Sequence, residues 1–242
     1  MDRVERPLER RAAARTAVVW DAVEQCLAGT SDQRVVDIGG GTGGFAVRVA
    51  ELGHRVTVID PSPDALAALA RRAQEQGVAD RVTAQQGDLA DLPGLVDPGT
   101  VDLALCHGVL GILDDPAAGL TTIGQALRPG GVLSLLVSQR HAAVLTRAMA
   151  GHFGQAKALL EGAQPDGGER RFTAEETAGL LTAAGFAPTA VHAIRVFADL
   201  VPSSLLDLEP GASAALLDLE RAVASRPEYL TLAAQIHTLA TH

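Results

Sequence analysis

The sequence predicts an α/β fold with a doubly wound, mostly parallel sheet, built as one domain over residues 1–242. Three observations carry this prediction. Short β-branched or apolar runs bounded by Gly, Asp and Pro alternate with segments of helical period, and parallel neighbours need such crossovers because a hairpin cannot connect them. A glycine cluster follows the first of those runs, where a doubly wound sheet presents ligand-binding backbone at the carboxyl ends of its strands. A chain of 242 residues is also long enough to bury a sizeable core.

Residues 8–28 open the chain with Leu8, Ala12, Val18, Val19, Ala22, Val23 and Leu27 at amphipathic helical spacing, ending near Gly29. Strands follow in RVVDIGG, RVTVID, RVTAQQGD, VDLALCH and GGVLSLLVS, which make residues 34–138 the ligand-binding core. The best-marked helix runs from Ser62 to Gln76, with Ser62 as N-cap, Pro63 at the first helical position, Asp64 at the positive end and Gly77 as the stop. After Ser138 the pattern changes. Residues 141–149 read as helical, and 150–171 hold five Gly, Pro165 and mixed charge, so 141–171 is expected to be a lid or insertion. A capping-box-like TAEE starts a helix from Thr173 to Ala184, VHAIRVF reads as a strand and 203–225 as a helix. The tail YLTLAAQIHTLATH fits a last strand or a final helix, and 173–242 completes the sheet.

Composition excludes several functions. There are 29 acidic against 20 basic residues, a net charge of −9, and Lys157 is the single Lys. That balance opposes attraction to polyanions, and seven aromatics offer few platforms for stacking bases, so no DNA partner is expected. The longest apolar stretches fall far short of the ~20 residues that span a bilayer. The N-terminus interleaves Arg with Asp and Glu and has no apolar leader, and a chain with two cysteines and no Asn carries neither a disulfide framework nor N-glycosylation. A cytoplasmic protein without membrane contact is the expectation. Cys106 and His107 are adjacent but lack a paired ligand set, so no metal is expected.

The most informative segment is VVDIGGGTGG, residues 35–44. It satisfies both G-x-G-x-x-G (Gly39, Gly41, Gly44) and D-x-G-x-G-x-G (Asp37, Gly39, Gly41, Gly43), so a dinucleotide and an ammonium-bearing cofactor both compete for it. Asp37 favours the second, since a carboxylate accepts hydrogen bonds from an ammonium and repels a pyrophosphate. Asp60, ending the second strand, is placed to accept both hydroxyls of a ribose in either reading. Asp88 follows the third strand, where its side chain and the Leu89 backbone can meet the amino group and ring of adenine.

These segments resemble the class I S-adenosylmethionine-dependent methyltransferases. VVDIGGGTGG, the acid in VTVIDPS, GDLADL, VDLALCHGVLGIL and ALRPGGVLSLLV occur in that family's order over about residues 34–138. The resemblance implies a seven-stranded sheet, S-adenosylmethionine as cofactor, cofactor contacts at Asp37, Gly39, Gly41, Asp60, Asp88 and Leu89, and a reaction site near Cys106 and His107. A narrower resemblance, to tRNA 5-carboxymethoxyuridine methyltransferases, extends through RTAVVW, HGVLGILDDP, RVF at 195–197 and PEYLTL with IH near the end. It implies that Arg15 meets the cofactor carboxylate, that His107 contacts the cofactor, and that the acceptor is a carboxylate on a wobble uridine. The chain departs from that pattern at RPLERRAAA, at Gln139-Arg140 and at EGAQPDGGERRF, the last standing where the family is lysine-rich. A small-molecule acceptor is the alternative. A nicotinamide-dependent oxidoreductase and a cofactor-binding module without catalysis are the rival classes.

Methyl transfer from a sulfonium requires chiefly alignment and the exclusion of water. A carboxylate acceptor is nucleophilic when ionised and is expected to be oriented by Arg140 or Arg195. A phenol, alcohol or amine needs its proton removed, with His107 or His141 as the base.

Overall fold

The computed structural model describes residues 7–163, 168–202, 205–206 and 211–242, with side chains described from residue 16 onward. Seven strands form one sheet in the order β3-β2-β1-β4-β5-β7-β6. They are β1 (Arg34–Ile38), β2 (Arg55–Asp60), β3 (Val82–Gln86), β4 (Val101–His107), β5 (Leu127–Ser138), β6 (Ala187–Ile194) and β7 (Gln235–Thr241). β1 to β5 are mutually parallel, and β7 lies between β5 and β6, antiparallel to both.

Helices cover both faces. α1 (Pro7–Leu27), α2 (Ala46–Glu51) and α3 (Pro63–Glu75) lie on one face, where Val23, Val49 and Leu69 pack on Val35, Val58 and Leu105. α4 (Leu92–Leu95), α5 (Pro116–Ala126) and α8 (Ala174–Ala183) close the other over Val36, Ile38, Ala104 and Cys106. Successive strand residues point to opposite faces, so the near-continuous burial along β1 and β4 is that of strands covered on both sides. Each fully buried Leu or Ile contributes about 1.5–3 kcal/mol.

Local chemistry sets the helix starts. Ser62 accepts from Ala65 N, Asp115 from Ala117 N and Ala118 N, and Thr173 with Glu176 completes a capping box. The 150–171 stretch, read as a glycine-rich insertion, contains α7 (Phe153–Leu160), packed on α6 (Arg140–Met149). Its glycines mark the ends of these helices: Gly151 and Gly162 take positive φ just after them. β6 lies four residues N-terminal to the expected VHAIRVF strand, because Arg195 turns to φ 61 and stops the ladder. The tail is both short helix and strand, α10 (Pro227–Leu230) then β7. Of the expected 203–225 helix, Ala212–Val223 forms α9, and residues 203–204 and 207–210 lie outside the described ones. Among the described residues no helix is long and apolar enough to cross a membrane.

Strand register brings the chemistry together. Asp37 pairs with Val58 and Leu105, Ile38 with Ile59 and Cys106, and Val58 with Ala84, so Asp37, Asp60 and His107 all reach the carboxyl edge of the sheet.

Candidate active site

The loop after β1 is shaped by close approach. Gly39 N donates to Ile59 O at 2.8 Å and Gly43 N to Gly40 O at 2.9 Å, while Gly39, Gly41 and Gly43 hold φ of 67, 54 and 77°. A Cβ at Gly39 would stand 2.5 Å from Val109 Cγ2, and one at Gly43 2.2 Å from Leu69 Cδ1. Gly41 differs: a Cβ there would meet nothing nearer than Asp60 Oδ2 at 3.8 Å. Gly39 and Gly43 are therefore required by packing and backbone conformation, and Gly41 leaves open space into which a ligand can approach the main chain.

Two carboxylates flank that space with different surroundings. Asp60 is 8% exposed and accepts from Gly41 N and Ser62 N, each at 2.9 Å, one bond per oxygen. Each oxygen keeps a further lone pair, enough for a diol. Asp37 is 3% exposed, and among the described residues its carboxylate has no hydrogen-bond partner. Burial, with the nearby Asp60 second, pushes its carboxyl up from 3.8 to about 7. An unpaired buried carboxylate is costly unless a cation completes it. The chemistry of the pair suits an ammonium and a ribose and opposes a pyrophosphate, so these residues fit an ammonium-bearing cofactor better than a dinucleotide.

Asp88 is exposed at the end of β3 and caps a 3-10 turn over Leu89–Asp91, its Oδ1 accepting from Ala90 N at 2.7 Å and its own N–H donating to Asp91. Leu89 sends its side chain into the core. Arg15 lies within α1, and its side chain falls outside the described residues.

His107 ends β4 with its ring edge-on to Phe45, centroids 4.8 Å apart. Nε2 is 2.8 Å from Ser134 Oγ, and Nδ1 is buried without a partner among the described residues. Desolvation lowers its pKa to about 4, so the ring is neutral at pH 7. The neighbouring Cys106 is fully buried and its thiol is pushed up to about 12 by burial, which leaves it no thiolate for nucleophilic chemistry.

Beyond β4 and β5 opens a cavity of about 730 Å³, lined by Gly108, Ser138, Arg147, Glu169, Arg171 and Arg195 among others. Arg195 is the best-defined cation in it. Its strained φ is held by Glu220, a buried carboxylate accepting from Val196 N, Phe197 N and Ala198 N at 3.0, 2.8 and 2.7 Å. The guanidinium bonds Asp199 and, at 3.4 Å, Gln235 Oε1, yet among the described residues its buried Nε has no acceptor.

The structure does not bring Arg140 or His141 to that cavity. Arg140 donates to both carboxylate oxygens of Glu176 at 2.8 Å and lines a separate groove with Arg170. His141 is exposed on α6, and Gln139, which caps that helix, binds its backbone N–H. Sequence reasoning also missed Ser134, His237, His192, Glu220 and Arg171. The available signals were a Ser inside the apolar GVLSLLV run and a His in a central position of the QIHTLAT strand, since a polar residue at a buried strand position needs a partner. Among the described residues there is no cluster of three or more His, Cys, Asp or Glu able to hold a metal ion.

Comparison with known proteins agrees with this geometry. Residues 36–133 match a family described as a methyltransferase domain. Over 234 residues the chain is 30% identical to the tRNA 5-carboxymethoxyuridine methyltransferase of Escherichia coli strain K12, covering 93% of this chain and 87% of that protein. An S-adenosylmethionine-dependent methyltransferase from Mesorhizobium loti shares the fold with a TM-score of 0.61 at 21% identity, over 95% of this chain and 100% of that one. Geranyl diphosphate C-methyltransferase from Streptomyces coelicolor A3(2), solved with Mg2+, geranyl diphosphate and S-adenosyl-L-homocysteine, does so with 0.64 at 15%, over 99% and 85%.

Proposed function

The chain belongs to the class I S-adenosylmethionine-dependent methyltransferases, and we propose that it methylates a carboxylate-bearing acceptor bound in the cavity beyond β4 and β5. The Nε of Arg195, buried and without an acceptor among the described residues, carries this reading, because a guanidinium N–H left unpaired is costly and a carboxylate oxygen is its strongest acceptor. Arg171 and Arg147 add positive charge to the same cavity.

On the cofactor side, Asp37 takes the ammonium, the Gly39–Gly43 backbone lets the ligand lie against the loop, Asp60 accepts the ribose hydroxyls, and Asp88 with the Leu89 backbone meets the adenine. His107 contacts the cofactor in this assignment, and the family resemblance gives Arg15 the cofactor carboxylate. S-adenosylmethionine supplies a methyl group already activated on a sulfonium. The chain's own task is therefore alignment: positioning of two reactants is worth about 7–11 kcal/mol of barrier. Arg195 fixes the acceptor oxygen in line, and a carboxylate ionised at neutral pH needs no base. Apolar Ile112 and Ala142 at the cavity wall help exclude water.

The acceptor we favour is the carboxylate of a 5-carboxymethoxyuridine in tRNA, supported by the near full-length relationship to the Escherichia coli enzyme. A small carboxylic acid is the second reading, favoured by the net charge of −9 and by a cavity of about 730 Å³, which suits a small ligand. Calorimetric titration with S-adenosylhomocysteine, with NADH in parallel, tests the cofactor half: only the first binds, and Asp60→Ala loses it. Unchanged binding by that variant counts against the assigned site. Labelled methyl transfer to tRNA carrying the carboxymethoxy group, beside a free nucleoside bearing it, tests the acceptor half. Transfer to tRNA supports the first reading, transfer to the nucleoside alone the second, and transfer to neither removes the carboxylate reading.

A further inference from the structure

A line of polar side chains crosses four strands beneath α1. His107 Nε2 on β4 is 2.8 Å from Ser134 Oγ on β5, Ser134 Oγ is 2.8 Å from His237 Nε2 on β7, and His237 Nδ1 is 3.1 Å from His192 Nδ1 on β6. The two outer rings stack, 17° from parallel. Ser134 and His237 are fully buried, and His192 is half-buried on the outermost strand. We propose that Ser134, His237 and His192 are positioning residues for His107, forming a tautomer relay through which the nitrogen that holds the His107 proton is coupled to His192 at the sheet edge. The inference rests on the assignment of His107 to the reaction site.

Proton counting limits the states this line of groups can adopt. A neutral imidazole has one N–H and one lone pair, and a hydroxyl has one hydrogen to donate. All three rings are held neutral: burial lowers His107 to about 4 and lowers His192, and it lowers His237 well below 6.5, helped by the two neighbouring rings. Two arrangements then satisfy every contact. In the first, His107 Nε2–H donates to Ser134, Ser134 donates to His237 Nε2, and His237 Nδ1–H donates to His192, which leaves a lone pair on His107 Nδ1. In the second, every donor is reversed and His107 Nδ1 carries the proton, a state that needs an acceptor on a bound ligand because among the described residues Nδ1 has no partner. A mixed state, with both His107 and His237 donating to Ser134, strands the Ser134 hydrogen in a site of 0% exposure, which costs about 1–3 kcal/mol.

Interconversion balances without leaving charge in the core. When His107 Nδ1 gains a proton from an O–H or N–H group of a ligand bound against it, its Nε2–H bond breaks as Ser134 gains an O–H. The former Ser134 hydrogen passes to His237 Nε2, the His237 Nδ1–H bond breaks as His192 Nδ1 gains a proton, and His192 gives its Nε2 proton to water. His107 can thereby offer its partner a donor or an acceptor while no imidazolium stays in the interior.

The test is the tautomer pattern of the full chain, labelled with 15N at histidine and read from long-range proton–nitrogen spectra. The relay requires one of two matched patterns, His107 Nε2–H with His237 Nδ1–H, or His107 Nδ1–H with His237 Nε2–H, or the two averaged with equal populations at all rings. Protonation of both His107 and His237 on Nε2, or unequal populations, overturns it without any variant. His192→Phe keeps the stacked ring and removes the terminal nitrogen, and the His107 nitrogen resonances are expected to shift although two residues separate them. Unmoved His107 resonances in a variant that still folds also overturn the relay. Titration with S-adenosylhomocysteine in the same samples keeps this result separate from the cofactor assignment.

Discussion

The two halves of the sheet solve the binding problem by different means. Around β1 to β3 the candidate site is mostly backbone: three glycines at positive φ, and amides of Gly41 and Ser62 bonded to a carboxylate only 19 and 2 residues away. Around β5 to β7 it is side chains brought from afar, with Ser134 meeting His237 across 103 residues and Arg195 held by a carboxylate on α9. In the proposed assignment the first half binds the cofactor through close approach of the main chain. The second half binds the acceptor through side chains carried on the same frame.

Glycine substitution is the harshest test of that contrast. Gly43→Ala combines a φ of 77° with a Cβ only 2.2 Å from Leu69 Cδ1. Backbone strain and overpacking together cost about 2–6 kcal/mol, a fall in Tm of about 5–20 °C for a chain of this size. Gly179→Ala in α8 meets nothing within 4 Å and is expected to gain about 0.5–1 kcal/mol. Thermal unfolding of the two variants decides the matter, and equal melting temperatures would remove the distinction between the halves.

Asp37→Asn is next in size. Removing the charge that completes an ammonium site is expected to weaken S-adenosylhomocysteine at least about 30-fold, or ~2 kcal/mol. The same change should stabilise the ligand-free protein above pH 7. The carboxyl is raised from 3.8 unfolded to about 7 folded, so its contribution to stability is fully present below 3.8 and is lost as pH rises through 7. That span bounds the gain at ~4 kcal/mol. Calorimetry and denaturant melts at pH 8 read the two effects; a variant that binds normally, or melts lower, contradicts the assignment.

This difference also explains what could be read from sequence. The glycine loop, Asp37 and Asp60 were legible because their constraints are local: a turn after a strand, a cap, an acid at a strand end. Ser62, Pro63 and Thr173 announced their helices for the same reason. The His107 to His192 line was not legible, since it depends on β7 entering between β5 and β6, and the tail's pattern suited strand or helix equally. Arg140, the alternative to Arg195 for orienting the acceptor, instead pairs with Glu176, because α8 packs where α6 begins and only the fold reveals that neighbour.

Acid stability separates the halves with the opposite sign. His107, His192 and His237 are depressed by burial, so their contribution is complete above 6.5 and is lost as pH falls toward about 4. His54, which accepts from Gln33 N, adds to the same limb from the other half. The ligand-free protein should therefore lose stability on both sides of a maximum between pH 5 and 7. Because the Asp37 window, 3.8 to 7, overlaps the histidine window below 6.5, Asp37→Asn should remove the fall toward pH 7 and steepen the rise below 6.5, whereas His192→Phe should only soften that rise. An Asp37→Asn variant whose acid limb is unchanged, or a His192→Phe variant that alters the fall toward pH 7, contradicts these assignments.

The smallest expected effect is the most selective. Arg140 and Glu176 form a partly exposed pair, with side chains 17% and 43% accessible. Arg140→Gln should cost no more than about 1 kcal/mol of stability and leave the KM for a carboxylate acceptor within about twofold. Arg195→Gln keeps hydrogen-bonding capacity but removes the charge from the cavity, and should raise that KM about tenfold, or ~1.4 kcal/mol, with S-adenosylhomocysteine affinity unchanged. If Arg140→Gln raises KM as much as Arg195→Gln, the acceptor lies across α6 in the groove with Arg170, and the second half of the sheet recognises its substrate from the opposite side of that helix.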